Sequence, residues 1–173
     1  VAVGNVFSSP APEPMYDSIK AVDSGKGVLL LFGNYQGDIM NFETATEMAE
    51  MDDIKVQKAI GNDDVASAPK DNIENRRGVA GIFYAYKLIG AKADEGVSLD
   101  ELKKTADEVI FNTRTMGVAL SPCTVPAAGK PTFTIGEDEM ELGMGIHGEP
   151  GIERGKLKTA DEIANVITNT ILD

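Results

Sequence analysis

The chain has 173 residues, 42% of them hydrophobic, which suits one domain or two small ones with a buried core. Its net charge of −12 and pI of about 4.5 repel phosphate backbones and anionic bilayers, so nucleic acid and membrane surfaces are excluded as partners. The longest apolar run is strand-sized and no basic, apolar-cored leader is visible. A single cysteine, Cys123, and a single histidine, His147, rule out an intrachain disulfide and a structural zinc site and fit a reducing cytoplasm.

Residues 1–14, "VAVGNVFSSPAPEP", are rich in turn formers and read as the interior of something longer; Ser8 and Ser9 before Pro10 form a turn or donate to a ligand. "MYDSIKAVDSG" predicts a short amphipathic helix ended by Gly25. "GVLLLFGN" (27–34) is a continuous apolar run bounded by Gly and Asn, the pattern of a parallel strand buried on both faces. "GDIMNFETATEMAEMDD" has helical spacing at Ile39, Phe42, Ala45 and Ala49, with Asp38 in an N-cap-like place. "IKVQKAIGN" (54–62) reads as a second strand, so 27–62 is one strand–helix–strand crossover. Residues 63–75, polar and irregular, read as an exposed loop, followed by Arg76 and Arg77, which either bind a phosphate or pair with nearby acids. "RRGVAGIFYAYKLIGAKADEG" is apolar almost all round and predicts a buried helix. In "SLDELKKTADEVIFNTRT" Ser98 and Glu101 have capping-box spacing ahead of Leu102, Ala106, Val109 and Ile110.

"MGVALS" reads as a strand and "PCTVPAAGKP" as a loop; Cys123 there has no basic neighbour and reads as packing. "FTIGEDEMELGMGI" (133–146) alternates apolar and acidic residues and should hold a strand or hairpin, and "TADEIANVITNTIL" closes as an amphipathic helix. Buried strands alternating with helices predict an α/β fold with a buried, mostly parallel sheet and flanking helices.

Two stretches carry chemistry. "GMGIHGEPG" fits G-x-G-x-x-G through Gly143, Gly145 and Gly148, but no helix opens after it as a dinucleotide cradle requires, and Asp161 and Glu162 lie nearer than the expected acidic residue and belong to a separate helix. The other reading is a loop whose glycines let the backbone approach a ligand while His147 faces it, with carboxylates of "GEDEMELG" holding the imidazole tautomer and "GEPG" as a rigid turn. "GNYQGD" follows the first parallel strand, at the sheet edge where α/β ligands bind; Asp38 there is either a base or a helix cap. No nucleotide-triphosphate loop and no Ser–His or Cys–His pair exists in these residues.

Taken in order, "NVFSSP", "GVLLLFGNYQGDIMNFETATEMAEM", "NDDVA", "RRGVAG", "GVALSPCTVPAAGKP" and "GEDEMELGMGIHGEPG" resemble the dihydroxyacetone kinase family in its ketose-binding, DhaK-type subunit or domain. The resemblance implies part of a two-subdomain fold, with residues 1–114 in a first α/β subdomain that lacks its N-terminal part. Residues 115–173 would begin a second one carrying the histidine loop. It implies that His147 attacks a ketone carbon through a ring nitrogen to form a hemiaminal. Such capture selects a short ketose over a polyol such as glycerol, which has no carbonyl. Asp38 would orient or deprotonate the hydroxyl to be phosphorylated, and Ser9, Gly37 and Gly33 would line the substrate. No cofactor is expected in this chain: ATP or ADP with Mg would sit on a nucleotide-binding, DhaL-type domain or subunit. A homodimer in the cytoplasm is the family's usual form, and this segment alone would be inactive.

Three departures stand beside the resemblance. The glycine-rich G-G-H-E-P motif with a second catalytic histidine would lie before residue 1. Gly33 stands where many members have lysine, and "KDNIENRRG" replaces a tyrosine-bearing stretch. The last two resemble a subgroup acting on four-carbon ketoses such as erythrulose. A relative that keeps the histidine but acts as a ketone-sensing transcriptional co-regulator is the other alternative.

Overall fold

The computed structural model describes residues 1–172, and the chain divides into two compact units. Residues 1–63 with 77–113 form the first; residues 64–76, with the chain from Arg114 onward, form the second.

In the first unit, helix α1 (Pro12–Val22) precedes strand β1 (Val28–Gly33), helix α2 (Gln36–Met51) and strand β2 (Val56–Gly61). β1 and β2 are parallel and in register from Val28↔Val56 to Gly33↔Gly61. Because a strand alternates its faces, Val28, Leu30 and Phe32 pack with Met15 and Ile19 of α1 and Ala45 and Ala49 of α2. Leu29 and Leu31 turn the other way, towards Ala59 and the helices α3 (Ile82–Asp94) and α4 (Leu99–Asn112). The uninterrupted apolar run of β1 is thus covered on both sides. Phe32 and Phe42 stack at 4.1 Å between ring centroids, which seats the first half of α2 on β1. Ser98 caps α4 by accepting from the Glu101 N–H at 3.2 Å, while the Glu101 carboxylate pairs with Lys92 at 3.4 Å.

Two sequence expectations fail, one in this unit and one across residues 63–75, of which only Asp63 belongs to it. Helix α3 is not buried all round: it docks through Ala85 and Ile89, one helical turn apart, and Phe83, Tyr84, Tyr86 and Leu88 are exposed. A single narrow stripe of contact leaves the other faces uncovered whatever their hydropathy. Residues 63–75 are not simply an exposed loop. Asp63 and Asp64 are both only 2% exposed, and a 3-10 turn spans Lys70–Asn75. Asp63 is buried because its carboxylate accepts from the N–H groups of Val79 (3.0 Å) and Gly81 (2.8 Å), donors that the start of α3 leaves without helical partners.

In the second unit, strands β3 (Val118–Ala119), β4 (Glu139–Leu142) and β5 (Glu153–Lys156) form an antiparallel sheet in the order β3-β4-β5. Met116, Met140 and Leu142 are its buried centre, against which Ile163, Val166, Ile167 and Ile171 of helix α5 (Ala160–Leu172) pack. The expected strand in 133–146 is β4; β5, "ERGK", is exposed along its length and has no apolar alternation to announce it.

At the carboxyl end of β1 and β2 three glycines stack backbone on backbone. A Cβ on Gly78 would fall 2.2 Å from the Gly61 carbonyl oxygen and 2.7 Å from the Gly33 Cα. Gly78→Ala should therefore destabilise the first unit by about 2 kcal/mol or more, as overpacking does, read as a lower urea midpoint with an unchanged slope.

Candidate functional site

The candidate site residues of the first unit gather where β1 ends and α2 begins. The Tyr35 N–H donates to the Gly33 carbonyl at 2.9 Å and the Ile39 N–H to the Tyr35 carbonyl at 2.9 Å, so the chain turns from strand into helix without a spacer. The N-cap is Tyr35, which corrects the expectation for Asp38: it is the third residue of α2, inside the first turn. Its carboxylate is not spent as a cap, yet it lies where the helix end favours negative charge. That charge reaches Tyr86, whose phenol is pushed up first by burial and then by Asp38, and whose hydroxyl donates to the Leu31 carbonyl at 3.3 Å.

Ser9 and Gly37 come together. A Cβ on Gly37 would lie 3.7 Å from the Ser9 Cβ. Asn41, a residue the sequence did not single out, fastens them: its Nδ2 donates to Ser9 Oγ at 3.2 Å and to the Pro10 carbonyl at 2.9 Å. Its only sequence signal is its place three residues after Asp38 on the same helix. Gly33 is also held close: a Cβ there would meet the Gly78 carbonyl oxygen at 2.9 Å and the Tyr35 ring at 3.2 Å. A longer side chain at 33 would need both to yield.

In the second unit, residues 143–152 form the loop of the β4–β5 hairpin. The Ile152 N–H donates to the Leu142 carbonyl at 2.8 Å and closes it. Inside, the Gly148 N–H donates to the Gly145 carbonyl at 3.0 Å, and the Gly145 N–H to the Glu149 carbonyl at 3.0 Å. Gly143 and Gly148 have φ of +75° and +89°, values that favour glycine, so the two are required by the turn itself. A strand, not a helix, follows the loop, which removes the dinucleotide cradle as a reading of the motif.

His147 sits near the tip of this loop and is exposed. Its backbone N–H donates to Glu149 Oε2 at 3.0 Å, and its Nδ1 lies 2.8 Å from Glu149 Oε1. The carboxylate beside the imidazole thus comes from the "GEPG" turn, not from "GEDEMELG" as expected. Partial burial acts to raise the Glu149 carboxyl. Hydrogen bonds from its own N–H, the His147 ring and the His147 N–H outweigh this and leave it below the usual carboxylate value.

The acid of "GEDEMELG" that matters is Glu141. Its side chain accepts from the Gly151 N–H at 2.6 Å and from Arg154 Nη2 at 2.6 Å and Nε at 2.8 Å. It braces the returning limb of the loop, and a Cβ on Gly151 would fall 2.0 Å from the Leu142 carbonyl oxygen. The Gly151 hydrogen bond and, after it, Arg154 hold the Glu141 carboxyl below its ordinary range against the opposing effect of burial. Of the two arginines weighed for a phosphate, Arg76 is buried and donates from Nε to the Ala68 carbonyl at 2.8 Å. Its guanidinium is depressed by burial and by Arg114. Cys123 is half-buried, and its carbonyl accepts from Thr132.

Residues 1–173 match the Dak1 domain along their whole length. The chain belongs to the Dak1 domain family. The dihydroxyacetone-binding subunit DhaK of a PTS-dependent dihydroxyacetone kinase from Listeria innocua is 50% identical over 168 residues, 97% of this chain and 51% of that protein. A D-erythrulose kinase of Mycolicibacterium smegmatis is 42% identical over 170 residues, 98% of this chain and 29% of that protein. The dihydroxyacetone kinase of C. freundii in complex with AMP-PNP and Mg2+ has the same fold at a TM-score of 0.88 and 34% identity, over 98% of this chain and 31% of that one. This Dak1 domain segment spans about half the length of the Listeria relative it matches. None of its described helices is long and apolar enough to cross a membrane.

Glu141 fixes a pH dependence for the second unit. A carboxyl whose folded pKa is depressed contributes stability above its unfolded-state pKa, and that contribution vanishes as acid titrates the folded form. Glu141→Gln should cost about 1–3 kcal/mol near neutral pH. The difference from wild type should shrink towards zero below roughly pH 4, followed by urea unfolding across pH.

Proposed function

We propose that this chain is the ketose-capturing part of a dihydroxyacetone kinase and that His147 is the residue that binds the substrate covalently. The observation that carries the reading is the His147–Glu149 pair on a closed hairpin loop, in a chain of the Dak1 domain family. An ionised carboxylate only accepts, so Nδ1 is the protonated nitrogen and Nε2 of the neutral ring keeps a lone pair. Nε2 adds to the ketone carbon, the carbonyl π pair moves to oxygen, and that oxygen takes a proton from solvent to give the hemiaminal.

Asp38 takes the second role, accepting or orienting the proton of the hydroxyl to be phosphorylated; its freedom from capping duty supports this. Ser9, Gly37 and Gly33 line the substrate, with Asn41 fixing Ser9. The phosphoryl donor comes from a nucleotide-binding, DhaL-type domain or subunit, with Mg and ATP or ADP, as the AMP-PNP and Mg2+ complex of the C. freundii kinase supports. The active form we infer is a cytoplasmic homodimer. A four-carbon ketose is the second substrate reading: glycine at position 33 supports it, and a D-erythrulose kinase is among the relatives, at 42% identity.

Soaking the full-length protein with dihydroxyacetone or erythrulose should give a sugar adduct on His147, seen in crystal density and by intact mass and lost in His147→Ala. Failure of both ketones to add would overturn the reading. Asp38→Asn should keep the adduct and slow phosphoryl transfer by about 10²–10⁴-fold once the donor is supplied. Unchanged turnover would reduce Asp38 to a helix residue, and an adduct without any phosphorylated product in wild type would point to the co-regulator.

A further inference from the structure

We propose that Glu149 is the positioning residue for ketose capture. It fixes the His147 tautomer and ring direction, and it pairs with the ring when bond formation makes it cationic. The inference rests on the reading of His147 as the capturing group.

The geometry is unusual in that one carboxylate grips one residue twice. Oε2 accepts from the His147 backbone N–H at 3.0 Å and Oε1 faces Nδ1 at 2.8 Å. Gripping main chain and ring together removes the freedom of the side-chain torsions between them. Glu149 is itself anchored: its carbonyl accepts from the Gly145 N–H at 3.0 Å, and Pro150 follows with its φ restricted. The His147 side chain is about 40% exposed.

The same contact has an electrostatic consequence. When Nε2 forms the C–N bond and the oxygen takes a solvent proton, the Nδ1 proton stays and the ring carries a full positive charge. Glu149 already lies in hydrogen-bond contact with that proton, so the charge develops against a preorganised partner. The arrangement parallels the carboxylate that orients a catalytic imidazole in hydrolases, without itself becoming protonated.

The test uses the full-length protein, with the His147 ring nitrogens assigned by 15N NMR through their disappearance in His147→Ala. Wild type should show a neutral ring protonated at Nδ1 and bare at Nε2. Glu149→Gln, which leaves one oxygen for two donors, should mix the tautomers and slow adduct formation with dihydroxyacetone or erythrulose by about 10–100-fold, with Glu149→Asp recovering part of the loss. A wild-type ring protonated at Nε2 overturns the proposal, and this result stands even if Glu149→Gln does not fold. So does a Glu149→Gln rate within about twofold of wild type with the tautomer unchanged. An absent adduct in wild type would instead overturn the His147 reading, and this proposal with it.

Discussion

The hydrogen bond from the Ile152 N–H to the Leu142 carbonyl, 2.8 Å long, closes the hairpin loop on which His147 is carried. Everything about the loop's precision follows from that closure. A loop with tied ends has little conformational entropy left to lose, so a few internal hydrogen bonds suffice to give it one shape. Gly143 and Gly148 supply the positive φ values, and Gly151 supplies the close approach to Leu142. Glu141, buried beneath, satisfies the Gly151 N–H and draws in Arg154. A side chain set on such a loop points in one direction at small free-energy cost, although it is exposed.

The carboxyl end of β1 reaches a similar result by other means. There the backbone is immobilised by packing: Gly33, Gly61 and Gly78 lie against one another, and the Phe32–Phe42 stack seats α2. With Tyr35 as the N-cap, α2 leaves Asp38 in its first turn, and Asn41 draws the Ser9–Pro10 segment over Gly37. Acidic groups are abundant in a chain of net charge −12, but the buried ones that matter each answer backbone donors. Asp63 holds two N–H groups at the head of α3, and Glu141 holds Gly151. Burial of a carboxylate is tolerable where such donors replace water.

Much of this was legible in the residues. The β1 run, the β1–α2–β2 unit, the Ser98 cap and α5 follow from hydrophobic period and capping chemistry, which act over a few neighbouring residues. For α3, Asp63 and β5 the deciding contact was distant in sequence. Helix α3 read as buried because hydropathy counts apolar residues without knowing which of its faces meets another element. Asp63 read as loop because its partners, Val79 and Gly81, lie sixteen and eighteen positions away. The strand β5 has no apolar alternation, and only its pairing with β4, Glu141 opposite Arg154, makes it a strand. Asn41 had no signal beyond its helical offset from Asp38.

The sequence by itself determined the α/β class, the family, and the two stretches from which the candidate site was drawn, because motif order and local periodicity are properties of neighbouring residues. The partner of the His147 ring was left to the tertiary structure, as was the place of Asp38 inside α2 rather than at its cap. The first depends on how the closed hairpin loop turns Glu149 to the ring, and the second on where the first backbone hydrogen bond of α2 falls, neither of which linear spacing reveals.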